Sequence, residues 1–222
     1  MSGRGKQEVL DRLSAIGVVP VLRGDSPEKV VRAVEALMEG GIPVAEITMT
    51  VPGALEVIER CVSLFGEELL VGAGSVTDPA IAGEAIDRGS RFLVTPTVNL
   101  EVLDVCRRRD CLAIGGALTP TEILTVWEAG ADVVKVFPAK AMGGPAYLRM
   151  VHEPLPQILL VPTGGVTLES MPDYFKEGVP FVGAGGDLVR KAAVAAGDVR
   201  TITARAREYV AAVLAARAHQ KR

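Results

Sequence analysis

Short apolar, β-branched runs recur along the chain at nearly even spacing. They are VVPVL (18–22), VAEITM (44–49), LLVGAG (69–74), FLVTP (92–96), CLAIGG (111–116), VVKVFP (133–138), ILLVPTGG (158–165) and FVGAGG (181–186). Each reads as a buried strand, and together they come about once every 23 residues. Between them the apolar positions switch to helical spacing. In SPEKVVRAVEALMEGG, Val30, Val31, Val34, Leu37 and Met38 share one face. Ser26 suits the N-cap, Pro27 the first helical position, and Gly40 with Gly41 the left-handed stop.

The same grammar returns downstream. Asp78 and Pro79 open TDPAIAGEAIDRG and Gly89 closes it; Thr119 and Pro120 open LTPTEILTVWEAG, with Glu122 at the capping-box position and Gly130 at the end. TLESMPDYFKEG runs to Gly178. The joint of helix, glycine and strand recurs in EALMEGGIPVAEI, EAIDRGSRFLV, VWEAGADVVKV and YFKEGVPFVGA. Repeated βα units predict an α/β fold, a (β/α)8 TIM barrel, forming a single domain over residues 1–222. An extra N-terminal helix is expected over roughly residues 6–16. The C-terminal TITARAREYVAAVLAARAHQKR reads as a helix with Tyr209, Val210, Val213 and Leu214 on one face and a solvated basic end. The competing architecture is an open doubly wound sheet, which usually has fewer strands and one strong nucleotide loop. Neither a G-x-G-x-x-G opening a helix nor a G-x-x-x-x-G-K occurs.

Composition narrows the class. About half of the 222 residues are hydrophobic, but only 4% are aromatic, so the core is aliphatic. The net charge of -3 gives no basic surplus for nucleic acid or an anionic membrane surface. Runs such as CLAIGGAL are too short to span a bilayer, and MSGRGKQEVLDRL lacks a signal-peptide apolar segment. Cys61, Cys106 and Cys111 follow no metal or redox spacing, so reduced thiols and a cytoplasmic location are expected. With only His152 and His219, a histidine-based triad or a multi-histidine metal site is nearly excluded, and no metal or other cofactor is expected.

The strands also carry chemistry. Side chains alternate, so in VVKVFP Val133, Lys135 and Phe137 share one face, and in VAEITM Val44, Glu46 and Thr48 do. The opposite faces are wholly apolar and must meet the helices. Lys135, Glu46 and Thr48 therefore point into the barrel, and the same alternation sends Leu159, Val161, Thr163 and Gly165 inward. A buried Lys135–Glu46 ion pair, or a lysine reaching out of the mouth, is the plain structural reading. The working alternative is that both charges lie near the C-terminal ends of their strands, where barrel active sites form. Apolar neighbours lower a lysine pKa and free its amine to attack a carbonyl, and a glutamate beside it can shuttle protons. Gly164 and Gly165 after strand 7, with Gly185 and Gly186 after strand 8, stand where barrels often bind phosphate through backbone amides. Ordinary turn glycine is the alternative for either pair.

VAEITMTVPGA, VGAGSV, FLVTP, LTPTE, VVKVFPA and VPTGGV together resemble the 2-keto-3-deoxy-6-phosphogluconate (KDPG) / 4-hydroxy-2-oxoglutarate (KHG) aldolase family, from about Val18 to about Leu188. The resemblance implies a trimeric TIM barrel of class I, metal-free aldolases acting on a 2-keto acid and a phosphorylated aldehyde. It implies Lys135 as Schiff-base lysine and Glu46 as general acid/base. Thr163 and Ser75 would lie near the pyruvyl part, with Phe137 and Pro96 packed around it. Arg23, in VLRG, would meet the substrate carboxylate, and Gly164, Gly165, Gly185 and Gly186 the phosphate. Thr48 joins this set as an inward-facing strand residue. The chain departs from the family at four places. Thr50 stands where some members have arginine, Ser75 where threonine is usual, which keeps a hydroxyl, Gly186 where serine is common, and Lys140 where an acidic residue is common. Two rival functions remain at this point: a phosphosugar isomerase or epimerase, and a non-catalytic sugar-phosphate-binding barrel.

Overall fold

The computed structural model describes residues 4–220. Eight strands are present: β1 (Val18–Leu22), β2 (Val44–Thr48), β3 (Leu70–Gly74), β4 (Phe92–Val94), β5 (Leu112–Ala117), β6 (Val133–Val136), β7 (Leu160–Pro162) and β8 (Val182–Ala184). All pair in parallel in the order β7-β6-β5-β4-β3-β2-β1-β8, and a single bridge between Thr163 and Gly183 closes the ring. The predicted barrel is present. Its seam between β7 and β8 is its most lightly paired joint, since β2 and β3 stay in register over five residue pairs.

The helices form where the capping residues predict. Ser26 accepts from the Lys29 amide at the start of α2 (Pro27–Glu39). Asp78 accepts from Ala80 and Ile81 at the start of α4 (Pro79–Asp87). Thr119 and Glu122 make a full capping box at α6 (Pro120–Glu128). Gly41, Gly89, Gly130 and Gly178 take positive φ at the turns that send the chain into the next strand. The ring is completed by α3 (Ala54–Phe65), α5 (Leu100–Arg108), α7 (Pro145–His152), α8 (Met171–Lys176) and the short α9 (Lys191–Ala196).

Helix α1 (Arg4–Ile16) packs against β1 and β5. It buries Val9 and Leu13, and Lys6 Nζ meets Asp132 Oδ2 at 3.0 Å. The long α10 (Val199–Gln220) lies along α2 and α8. Its buried stripe is Ile202, Ala206, Tyr209, Val213 and Ala216. Leu214 is 65% exposed, against expectation, because five residues after Tyr209 the helix has turned well away from the barrel. Leu159 is corrected as well. It precedes the first residue of β7 and is 38% exposed on the lower rim, so the inward alternation starts only at Val161.

Candidate active site

Register fixes which side chains share the interior. Glu46 pairs with Val21 on one side and Gly72 on the other; Lys135 pairs with Gly116 and Val161. β2 and β6 are four strands apart in a ring of eight, so Lys135 and Glu46 face each other across the barrel. Phe92 fills the floor beneath them, and only a glycine at 72 leaves room, since a Cβ there would lie 2.3 Å from its ring. Gly74 does the same for the Glu46 carboxyl, where a Cβ would come within 2.0 Å. Gly116 lets the Thr95–Thr97 backbone close in beside Lys135, and Gly183 lets Thr163 lie flat. These in-strand glycines are close-packing positions that the residue pattern alone does not assign. Their signal is glycine inside a strand, which marks close approach by another group.

Both charges are deeply buried: Glu46 is 3% exposed and Lys135 5%. Among the described residues no direct ion pair joins them, and Glu46 Oε1 has no hydrogen-bond partner. The simple ion-pair reading therefore fails. Burial pushes the Lys135 amine below the ordinary lysine value; the Glu46 charge works against that shift and the Arg23 charge adds to it. Burial likewise raises the Glu46 carboxyl, opposed by Lys135 and Arg23. The Lys135 ammonium position lies 5.0 Å from the centre of the Phe137 ring. Arg23 is exposed, just past the end of β1, yet close enough to bias both groups.

The remaining expected residues also gather at the C-terminal mouth. Pro96 and Phe137 wall a cleft of about 490 Å³ with Val98, Ala117, Leu118 and Pro138. Ser75 follows β3 at φ 57, a left-handed conformation that costs a non-glycine residue energy. Thr163, 9% exposed, ends the inward row of β7. Thr48 is different: it is fully buried, its hydroxyl donates to Leu22 O at 2.8 Å, and the Thr50 hydroxyl lies 2.7 Å away. It supports the strand end that carries Arg23.

Gly164 and Gly165 sit at φ 88 and 82, a left-handed pair that turns the chain sharply after β7. Side chains are excluded there, since Cβ atoms would lie 2.9 Å from the Phe137 ring and 2.4 Å from Lys140. Gly185 and Gly186 differ. Neither has positive φ; a Cβ on Gly185 would make only ordinary contact, and one on Gly186 would meet nothing within 4 Å. The two glycine pairs stand on adjoining loops, one after β7 and one after β8.

A family model for KDPG and KHG aldolases matches residues 9–205. The chain belongs to the KDPG and KHG aldolase family. It is 34% identical over 203 residues to a 2-dehydro-3-deoxy-phosphogluconate aldolase of Dickeya dadantii, covering 91% of this chain and 95% of that one. It is 32% identical over 174 residues to a 2-dehydro-3-deoxy-6-phosphogalactonate aldolase of Escherichia coli K12, covering 78% and 84%. Among solved structures, the KDPG aldolase of Legionella pneumophila, with pyruvate captured as a covalent carbinolamine, superposes with a TM-score of 0.82. That pair is 29% identical, over 88% of this chain and 94% of the other.

Proposed function

We propose that this chain is a class I aldolase that cleaves KDPG to pyruvate and glyceraldehyde 3-phosphate, and also 4-hydroxy-2-oxoglutarate to pyruvate and glyoxylate. The observation that carries the reading is a buried lysine of lowered pKa facing a buried glutamate of raised pKa without an ion pair between them. A lysine held by an ion pair would be a poor nucleophile; a desolvated, neutral amine is a good one.

Lys135 Nζ attacks C2 of the 2-keto acid. Glu46, able to hold a proton where an ordinary carboxyl would not, passes it to the carbinolamine oxygen, which leaves as water. The protonated imine then accepts the C3–C4 bonding electrons, while the C4 hydroxyl proton returns to Glu46 directly or through water. The aldehyde departs, the enamine takes a proton at C3, and water releases pyruvate. Arg23 pairs with the substrate carboxylate, Ser75 and Thr163 bond the pyruvyl oxygens, and Pro96 and Phe137 pack its carbon skeleton. The amides of Gly164, Gly165, Gly185 and Gly186 take the phosphate. Thr48 supports Arg23 from behind. The reading further includes residues 1–222 working as one domain, in the cytoplasm, as a homotrimer; the trimer rests on the family resemblance, and sedimentation of the purified protein tests it.

The deciding experiment is borohydride reduction of the protein with pyruvate, followed by peptide mass spectrometry. A pyruvate-dependent adduct on the Lys135 peptide is expected. Pyruvate binding without an adduct would overturn the imine mechanism and turn attention to an isomerase or a silent binding barrel. Assays with KDPG and its C4 epimer then define the stereochemical preference, since both phosphogluconate and phosphogalactonate aldolases are among the relatives.

A further inference from the structure

The two halves of the proposed phosphate cradle, Gly164–Gly165 and Gly185–Gly186, sit on either side of the barrel's weakest joint. Between β7 and β8 the sheet contributes one bridge, Thr163 to Gly183, and beyond it the loops run on without strand pairing. What spans them is the residue directly after Gly186. Asp187 Oδ2 accepts from the Leu168 amide at 3.1 Å, three residues past Gly165. The same oxygen accepts from Arg205 Nη2 and the Tyr209 hydroxyl, each at 2.7 Å, both on α10. Arg205 Nε also donates to the Asp187 carbonyl at 3.3 Å, which pins the loop backbone. On the other side of Gly186, the Leu188 and Val189 amides converge on Gly185 O at 3.0 and 2.8 Å.

One carboxylate oxygen thus joins the loop after β7, the loop after β8 and α10. The anchor itself is firm: Tyr209 is fully buried, and Arg205 stacks near its ring, 5.6 Å from the centre. Burial alone would raise the Asp187 pKa. The bonds from Tyr209, the Leu168 amide and Arg205 outweigh it, so Asp187 stays ionised. The linkage uses neither Lys135 nor Glu46.

We propose that Asp187 is a positioning residue that fixes the separation of the two glycine pairs, and so sets the preference of the mouth for a phosphorylated substrate. This rests on the aldolase reading above. Pyruvate alone provides the internal comparison, because exchange of its methyl protons with deuterium needs the imine and the enamine but no phosphate.

In Asp187→Asn, the KM for KDPG is expected to rise about tenfold, while the rate of pyruvate methyl exchange changes by no more than about twofold. Tyr209→Phe keeps the ring in the core and removes one donor; it is expected to raise the same KM severalfold and serves if the first variant does not fold. Arg217→Ala loosens the other end of α10 as a control and should lower Tm without moving the ratio of KDPG cleavage to pyruvate exchange. Equal losses in both reactions, or an unchanged KM, would overturn the positioning role. Absence of both reactions in the unsubstituted protein would instead sink the aldolase reading, and this inference with it.

Discussion

At the residue scale, the site depends on three charges that tune one another. Burial does most to lower the Lys135 pKa; the Glu46 charge opposes it and the Arg23 charge adds to it. Imine formation requires the neutral amine, so its rate rises as pH climbs through the Lys135 pKa, which lies below the ordinary 10.5. Removing a positive neighbour makes the ammonium easier to keep, so Arg23→Ala should move that rising limb to higher pH. Glu46→Gln should move it to lower pH. Rates of borohydride trapping with pyruvate across pH measure both, and shifts in the same direction would contradict the assignment. Gly186 gives a prediction of gain. With no positive φ and open space around a Cβ, Gly186→Ser fits without strain and restores a hydroxyl to the cradle. A hydrogen bond to a charged group contributes about 1.5–3 kcal/mol, so the KM for KDPG should fall, with pyruvate exchange unaltered. Lys135 and Glu46 were legible from the sequence because strand alternation leaves no other place for a charge between apolar faces. Gly74, Gly116 and Asp187 were not, because their roles depend on what the neighbouring strand or helix places against them.

At the element scale, caps and stops were the most readable features. Ser26, Asp78 and Thr119 act within their own helix turn, so the information is local. The errors at Leu159 and Leu214 arose where an element's phase or start is set by its tertiary neighbour. Arg217 shows that dependence most clearly. Its guanidinium, on α10, donates to Ala15 O, Ser14 O and Pro180 O, and lies 5.4 Å from the Phe175 ring centre. It satisfies carbonyls at the C-terminal end of α1, more than two hundred residues away in sequence, beside the left-handed Gly17 that stops the helix. Arg217→Ala leaves those carbonyls to water and should cost about 1–3 kcal/mol, read as a lower Tm with unchanged KM. The capping box predicts a smaller loss: Thr119→Ala should cost about 1 kcal/mol.

At the scale of the whole molecule, the two ends of the barrel carry different burdens. The lower end is closed by α1, and its contacts are apolar or paired. Leu13 is fully buried there, so Leu13→Ala should cost about 2–5 kcal/mol by denaturant unfolding, with kcat/KM of the folded protein retained. The upper end is the reverse, since it holds a carboxyl with an unpartnered oxygen, a desolvated amine and a left-handed serine. Such groups persist because the rest of the fold outweighs their cost. Glu46 provides the sharpest test. Its folded pKa is raised above the ordinary 4.5, so the folded state holds a proton that the unfolded state has already released. Stability therefore falls as pH rises from about 4.5 and levels off only above the raised folded value. Glutamine has no proton to lose. Glu46→Gln should abolish cleavage yet raise Tm relative to the unsubstituted protein, and the difference should be larger at pH 8 than at pH 4.5. Thermal unfolding of both proteins at the two pH values gives the answer. A Tm difference independent of pH would mean that Glu46 is no more strained in the folded barrel than in the unfolded chain, and that its readiness to hold a proton has another source.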